Sequence, residues 1–135
     1  MDERKLLQLA SDARNNSYSP YSKFRVGAAL LTKSGKVFTG CNVENATYGA
    51  TCCAERTAVY KAVSEGEKEF EAIAVRGDND GFTFPCGICR QVIAEFSPSI
   101  KVILGDGNGN IKICSLDDLL PHAFYKEDLY NKGGS

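Results

Sequence analysis

Apolar residues recur at helical spacing between Glu3 and Asn16, where Leu6, Leu7, Ala10 and Ala13 share a side and acidic residues stand at the front, which predicts a first helix ending before Ser19-Pro20. The pattern then changes character. Arg25–Thr32 and Val37–Asn42 are apolar runs on either side of Lys33-Ser34-Gly35-Lys36, as expected of an antiparallel hairpin. Thr51 is placed to cap a second helix over Cys52–Ser64, whose buried side would be Ala54, Ala58, Val59, Ala62 and Val63, with Gly66 past its end. Phe70–Val75 is nearly all apolar, the pattern of a strand covered on both faces. After a polar loop over Arg76–Phe84, Pro85 opens a helix spanning Cys86–Phe96 that turns Val92, Ile93 and Phe96 inward. Lys101–Leu104 and Asn110–Cys114 read as two more strands about the turn Asp106-Gly107-Asn108-Gly109, and Ser115 opens a short helix that stops at Pro121. Five strands interleaved with helices predict an α/β sandwich with a mixed sheet.

Length makes residues 1–135 one expected domain, with a flexible tail at 131–135. The formal net charge of -1 and the absence of a Lys/Arg run argue against a nucleic-acid partner, whose phosphates reward clustered cations. The opening Met1-Asp2-Glu3-Arg4-Lys5-Leu6-Leu7 has no apolar run long enough for a signal peptide or membrane span, so the expected location is the cytoplasm, without a membrane partner. In a reducing compartment the six cysteines read as metal ligands or small buried apolar residues, not disulfides.

Two of the cysteine groups change the picture. Cys53-x-Glu55 followed by Pro85-Cys86-x-x-Cys89 supplies three soft ligands and a carboxylate that is not itself a ligand, the all-cysteine form of the pattern used by zinc-dependent base deaminases. Both groups fall at expected helix starts, where the dipole favours thiolate over thiol. Residues two apart do not share a helix face, so Cys53 can join Glu55 in one site only by pointing off the helix end. Three thiolates and Zn²⁺ leave one net negative charge, for which Arg56, the helix ends and, more weakly, Arg90 are the candidate compensators. Other readings stay open at this point. The sulfurs could form a closed structural site with a fourth ligand from Cys41, Cys52, Cys114 or His122, or simply pack in the core.

With Tyr18-Ser19-Pro20-Tyr21-Ser22-Lys23-Phe24-Arg25-Val26-Gly27-Ala28-Ala29-Leu30, Gly40-Cys41-Asn42-Val43-Glu44-Asn45-Ala46, Cys53-Ala54-Glu55-Arg56-Thr57-Ala58, Pro85-Cys86-Gly87-Ile88-Cys89-Arg90-Gln91 and Leu119-Leu120-Pro121, the chain resembles the small cytidine deaminases of the homotetrameric, all-cysteine class. The resemblance implies a three-layer α/β/α fold with a five-stranded mixed sheet. It also implies hydrolytic conversion of cytidine or 2′-deoxycytidine to uridine or 2′-deoxyuridine, with release of ammonia, in pyrimidine salvage. Position by position, it implies one zinc per subunit on Cys53, Cys86 and Cys89, with Glu55 shuttling protons to N3 of the base and to the leaving amine. Asn42 and Glu44 match the pair that grips the ribose 3′-hydroxyl, Phe24 the aromatic lying against the base, and Ala46, Tyr48 and Phe124 the positions that complete the pocket across subunits of a homotetramer. Departures are Ile88 where Ala is commoner, Gly49-Ala50 before the zinc helix, and Cys52 beside the ligand. The rivals are a blasticidin-like or nucleic-acid-editing deaminase, against which Asn42-x-Glu44 and the lack of a basic groove speak, and a non-catalytic zinc-binding module, which would leave Glu55 idle.

Overall fold

A computed structural model describes residues 1–130, so the expected tail at 131–135 lies outside the described residues. The elements are α1 (Glu3–Ala13), β1 (Val26–Thr32), β2 (Val37–Cys41), α2 (Ala54–Ser64), β3 (Phe70–Gly77), α3 (Gly87–Phe96), β4 (Lys101–Gly105), β5 (Ile111–Ser115), α4 (Leu116–Leu119) and α5 (Lys126–Tyr130). The five strands form one sheet in the order β2-β1-β3-β4-β5. Only β3 and β4 run parallel, joined by the α3 crossover; the other pairs are antiparallel, which makes the sheet mixed.

Alternation along the strands divides the core in two. Ala28, Leu30, Ile73, Val75, Val102 and Leu104 pack on one face against Ala58, Val59 and Ala62 of α2 and Ile93 and Ala94 of α3. Ala29, Leu31, Ala72, Ala74 and Ile103 face the other way, onto Leu6 and Ala10 of α1. The result is the expected three-layer α/β/α sandwich. Complete burial of a Val or Ile is worth about 1.5–3 kcal/mol, so Val59 and Ile93 are strong anchors that fix α2 and α3 side by side on one face. Among the described residues no helix is long and apolar enough to cross a membrane.

Gly40 sets the height of α2 above the sheet. A Cβ there would stand 2.6 Å from both the Ala54 carbonyl oxygen and the Ala58 amide nitrogen, the backbone of the helix that begins at the first cysteine group. Gly40→Ala is expected to cost about 1–3 kcal/mol by overpacking and to lower activity by lifting the first turn of α2. An unchanged denaturation midpoint would remove this role. The other end of α2 closes as expected: Gly66, at φ 91, donates to the Val63 carbonyl while Glu67 donates to that of Ala62, which satisfies the last turn.

One boundary needs correction. Thr51 is not the cap of α2: Cys53 occupies that position, and the Thr51 hydroxyl accepts from the Asn45 amide at 3.2 Å. The reason is an isolated bridge in which Val43 and Cys52 exchange two backbone hydrogen bonds of 2.9 Å, holding residue 52 extended. Helix α3 likewise begins at Gly87 with Cys86 as its cap. The 3-10 turns Arg14–Asn16 and Tyr48–Ala50 and the helix α5 were not expected from the pattern.

Candidate active site and metal centre

Because Cys53 and Cys86 are cap residues, their backbones are extended and their side chains reach over the starts of α2 and α3. Those two starts are neighbours on one face of the sheet. Cys89 lies in the first turn of α3, wholly buried, with its amide 3.5 Å from the Cys86 sulfur. All three Sγ atoms fall within 4.8 Å of one another, and Cys53 and Cys86 are 3.7 Å apart. A tetrahedral Zn–S site with bonds of about 2.3 Å has an edge of about 3.8 Å. The donor set and spacing therefore fit zinc, and among the described residues no further His, Cys, Asp or Glu joins this cluster as a fourth ligand.

Arg56 stands behind the first sulfur. Its Nη2 lies 3.3 Å from Cys53 Sγ and 3.5 Å from the Thr51 carbonyl oxygen, while its buried Nε has no partner among the described residues. The hydrogen bond from the Cys89 thiol, and after it the one from Arg56, draw the Cys53 thiol down to about 5 against an opposing desolvation. Cys89 is pushed up by the same shared hydrogen bond, helped by burial. Thiolate character is thus concentrated where Arg56 can meet it.

Glu55, in the first turn of α2, is only 3% exposed and makes no salt bridge among the described residues. Desolvation raises its carboxyl to about 7, with the nearby Cys53 charge adding to the rise and Arg56 opposing it. A carboxyl so placed exchanges a proton readily near neutral pH.

The other expected positions divide into two groups. Glu44 and Tyr48 line an open cleft of about 390 Å³ with Tyr21, Ser22 and Thr51, and the rings of Tyr21 and Tyr48 meet edge to face at 5.9 Å. Asn42 is buried, its Nδ2 donating to the Phe24 carbonyl at 2.9 Å and its Oδ1 accepting from the Val26 amide at 3.0 Å and from the Ser17 hydroxyl. It thereby fixes the backbone that carries Phe24, whose half-buried ring lies near Gly77. Ala46, Tyr48 and Phe124 are exposed, Tyr48 at 75% and Phe124 at 57%. Tyr48 shares the cleft with Thr51, and the Phe124 carbonyl accepts from the Gln91 side chain of α3 at 2.6 Å. Ser17, Tyr21 and Ser22 hold the Asn42 and Glu44 side chains; the sequence marks Tyr21 and Ser22 only as members of the Tyr18–Leu30 stretch, without a role, and Ser17 not at all.

Residues 1–105 match the family model described as the cytidine and deoxycytidylate deaminase zinc-binding region. A cytidine deaminase of Sporosarcina psychrophila is 52% identical over 130 residues, spanning 96% of each chain. The crystal structure of a cytidine deaminase from Burkholderia pseudomallei superposes with a TM-score of 0.88 at 50% identity, covering 92% of this chain and all of that one. A blasticidin-S deaminase of Bacillus cereus is more distant, at 32% identity over 124 residues, spanning 86% of this chain and 87% of that one. The sulfur cluster, the buried carboxylate beside it and these similarities agree: the chain belongs to the cytidine and deoxycytidylate deaminase family.

Proposed function

We propose that this protein hydrolyses cytidine and 2′-deoxycytidine to uridine and 2′-deoxyuridine, releasing ammonia, with Glu55 as the catalytic residue and one zinc per subunit held by Cys53, Cys86 and Cys89. The observation that carries this reading is the cluster of three sulfurs at two helix starts with a buried carboxylate in the adjoining turn. Zinc bound there supplies Lewis acidity, making water acidic enough to act as a nucleophile near neutral pH.

The chain's own work is proton transfer and placement. Glu55 accepts a proton from the attacking water and delivers it to N3 of the base, which leaves C4 open to addition. It then takes the proton of the hydroxyl added at C4 and passes it to the amino group, which leaves as ammonia while the C4 carbonyl forms, so one buried carboxyl serves as base and acid in turn. Arg56, against Cys53, offsets the excess negative charge of three thiolates. Phe24 lies along the base, and Asn42 and Glu44 position the sugar, Glu44 by direct contact with the 3′-hydroxyl. A site built to bond a hydroxyl rejects analogues that lack it.

Tyr48, Ala46 and Phe124, exposed in one chain, acquire a use if neighbouring subunits of a homotetramer complete each other's pockets. The rest of this proposal is a single domain over 1–135, acting in the cytoplasm in pyrimidine salvage. The test is to incubate the zinc-loaded chain separately with cytidine, a cytosine-containing single-stranded oligonucleotide and blasticidin S. Loss of cytidine absorbance with stoichiometric ammonia, and no change in the other two, is expected. Turnover of the oligonucleotide or of blasticidin S in preference to cytidine would overturn the substrate assignment, and turnover of none would leave a zinc-binding module.

A further inference from the structure

Glu44 does not hang free in the cleft. Its Oε1 accepts from the amides of Tyr21 at 2.9 Å and Ser22 at 3.1 Å, and its Oε2 accepts from the Ser22 hydroxyl. A carboxylate has about four acceptor sites, so three are filled from within the chain and one remains for a ligand. These bonds, the Ser22 hydroxyl first among them, also hold the Glu44 carboxyl below the usual carboxylate range.

The Ser22 hydroxyl is itself oriented. Its oxygen accepts from the Phe24 amide at 3.1 Å, and of the two acceptors in reach its proton favours Glu44 Oε2 over the more distant Phe24 carbonyl at 3.5 Å. Bringing that amide back onto a side chain two residues earlier requires a tight turn, and Lys23 between them sits at φ 56, in the left-handed region, with its own amide bonded to the Ser19 carbonyl at 3.0 Å. The chain spends backbone strain to aim one hydroxyl at one carboxylate oxygen.

We propose that Ser22 is a positioning residue that locks Glu44 into a single rotamer, leaving one acceptor site directed at a sugar hydroxyl of the nucleoside. The inference rests on the reading that Glu44 contacts the 3′-hydroxyl. Without the Ser22 hydroxyl, Oε1 keeps its two amides but Oε2 loses its bond within the chain, so substrate binding must itself fix that oxygen, an entropy loss otherwise met on folding. Chemistry at C4 is unaffected, so the cost appears in KM and not in kcat. Ser22 is exposed, and its hydrogen bonds to Glu44 and from the Phe24 amide lie at the surface, where water can replace them on truncation.

The experiment measures KM and kcat of the zinc-loaded full chain for Ser22→Ala, Ser22→Thr, Glu44→Ala and the double variant Ser22→Ala/Glu44→Ala. Ser22→Ala is expected to raise KM for cytidine about three- to tenfold with kcat altered by less than about twofold. Ser22→Thr, which keeps the hydroxyl, is expected to resemble wild type. In the Glu44→Ala background the Ser22 substitution is expected to add nothing. Additive losses, or no KM change in the single Ser22→Ala variant, overturn the proposal. Parallel measurement with 3′-deoxycytidine tests the underlying reading separately: the Glu44→Ala penalty should vanish there. If it persists while the two substitutions remain non-additive, Ser22 still positions Glu44, and the hydroxyl assigned to Glu44 is the part that fails.

Discussion

Replacing Glu55 by Gln is expected to lower kcat by about 10⁴-fold or more, since general acid–base catalysis by one group contributes about 10²–10⁴ and this carboxyl performs more than one transfer. Zinc content should not change, because Glu55 is not among the clustered ligands. Shape is conserved, so the buried pocket around residue 55 keeps its packing. Stability should be equal to wild type or higher: Glu55 is 3% exposed, its ionised form has no salt-bridge partner among the described residues, and Gln removes the cost of burying that charge. The check is a joint measurement of metal content, thermal midpoint and cytidine turnover. Retention of more than about 1% of kcat is a loss smaller than even the 10²-fold lower end of that range and would remove Glu55 from the proton path, while parallel loss of zinc would make it a ligand or a structural support for one.

The sulfur cluster and the buried carboxyl in the adjoining turn were legible in the sequence because they are rare residue types at fixed spacing on two helix starts. Cys53, Glu55, Cys86 and Cys89 needed only the inference that each helix begins near its cysteine. The strand and helix pattern was equally readable, since the alternation of Ala28 to Leu31 and the periodicity of α1 are local properties. What failed was Thr51 as cap, and the cause was not local: Val43, nine residues earlier, pairs with Cys52 and holds it extended. That shift places Cys53 at the cap itself, pointing off the helix end. The sugar-side assembly was the least legible part. Ser17, Ser22 and the Tyr21 amide act through hydrogen bonds to Asn42 and Glu44 across more than twenty residues, and serine has no distinctive pattern in a loop. Tyr48 and Phe124 came from the family resemblance, and their exposure in a single chain is the reason that periodicity carried no signal for them.

Cys89→Ala is expected to lose both zinc and turnover while keeping the fold, which separates it from Glu55→Gln. Alanine is the strongest helix former, and the first turn of α3 keeps two anchors from Arg90, whose Nε and Nη1 each donate at 2.7 Å to the carbonyls of Pro85 and Leu119. The metal loses its most buried sulfur, leaving Cys86, which is exposed, and the half-buried Cys53. Affinity should fall by more than the roughly 10–100-fold that outer-shell partners cost. A ligand that binds only the folded state raises stability in proportion to the logarithm of its concentration over Kd. A strong chelator should therefore lower the thermal midpoint of wild type and of Glu55→Gln but leave that of Cys89→Ala unmoved. If Cys89→Ala kept stoichiometric zinc and chelation still destabilised it, the third ligand would have to be sought among Cys41, Cys52 and Cys114. Since the three assigned sulfurs lie within 4.8 Å of one another and no other cysteine joins them among the described residues, that outcome requires a rearrangement at the starts of α2 and α3.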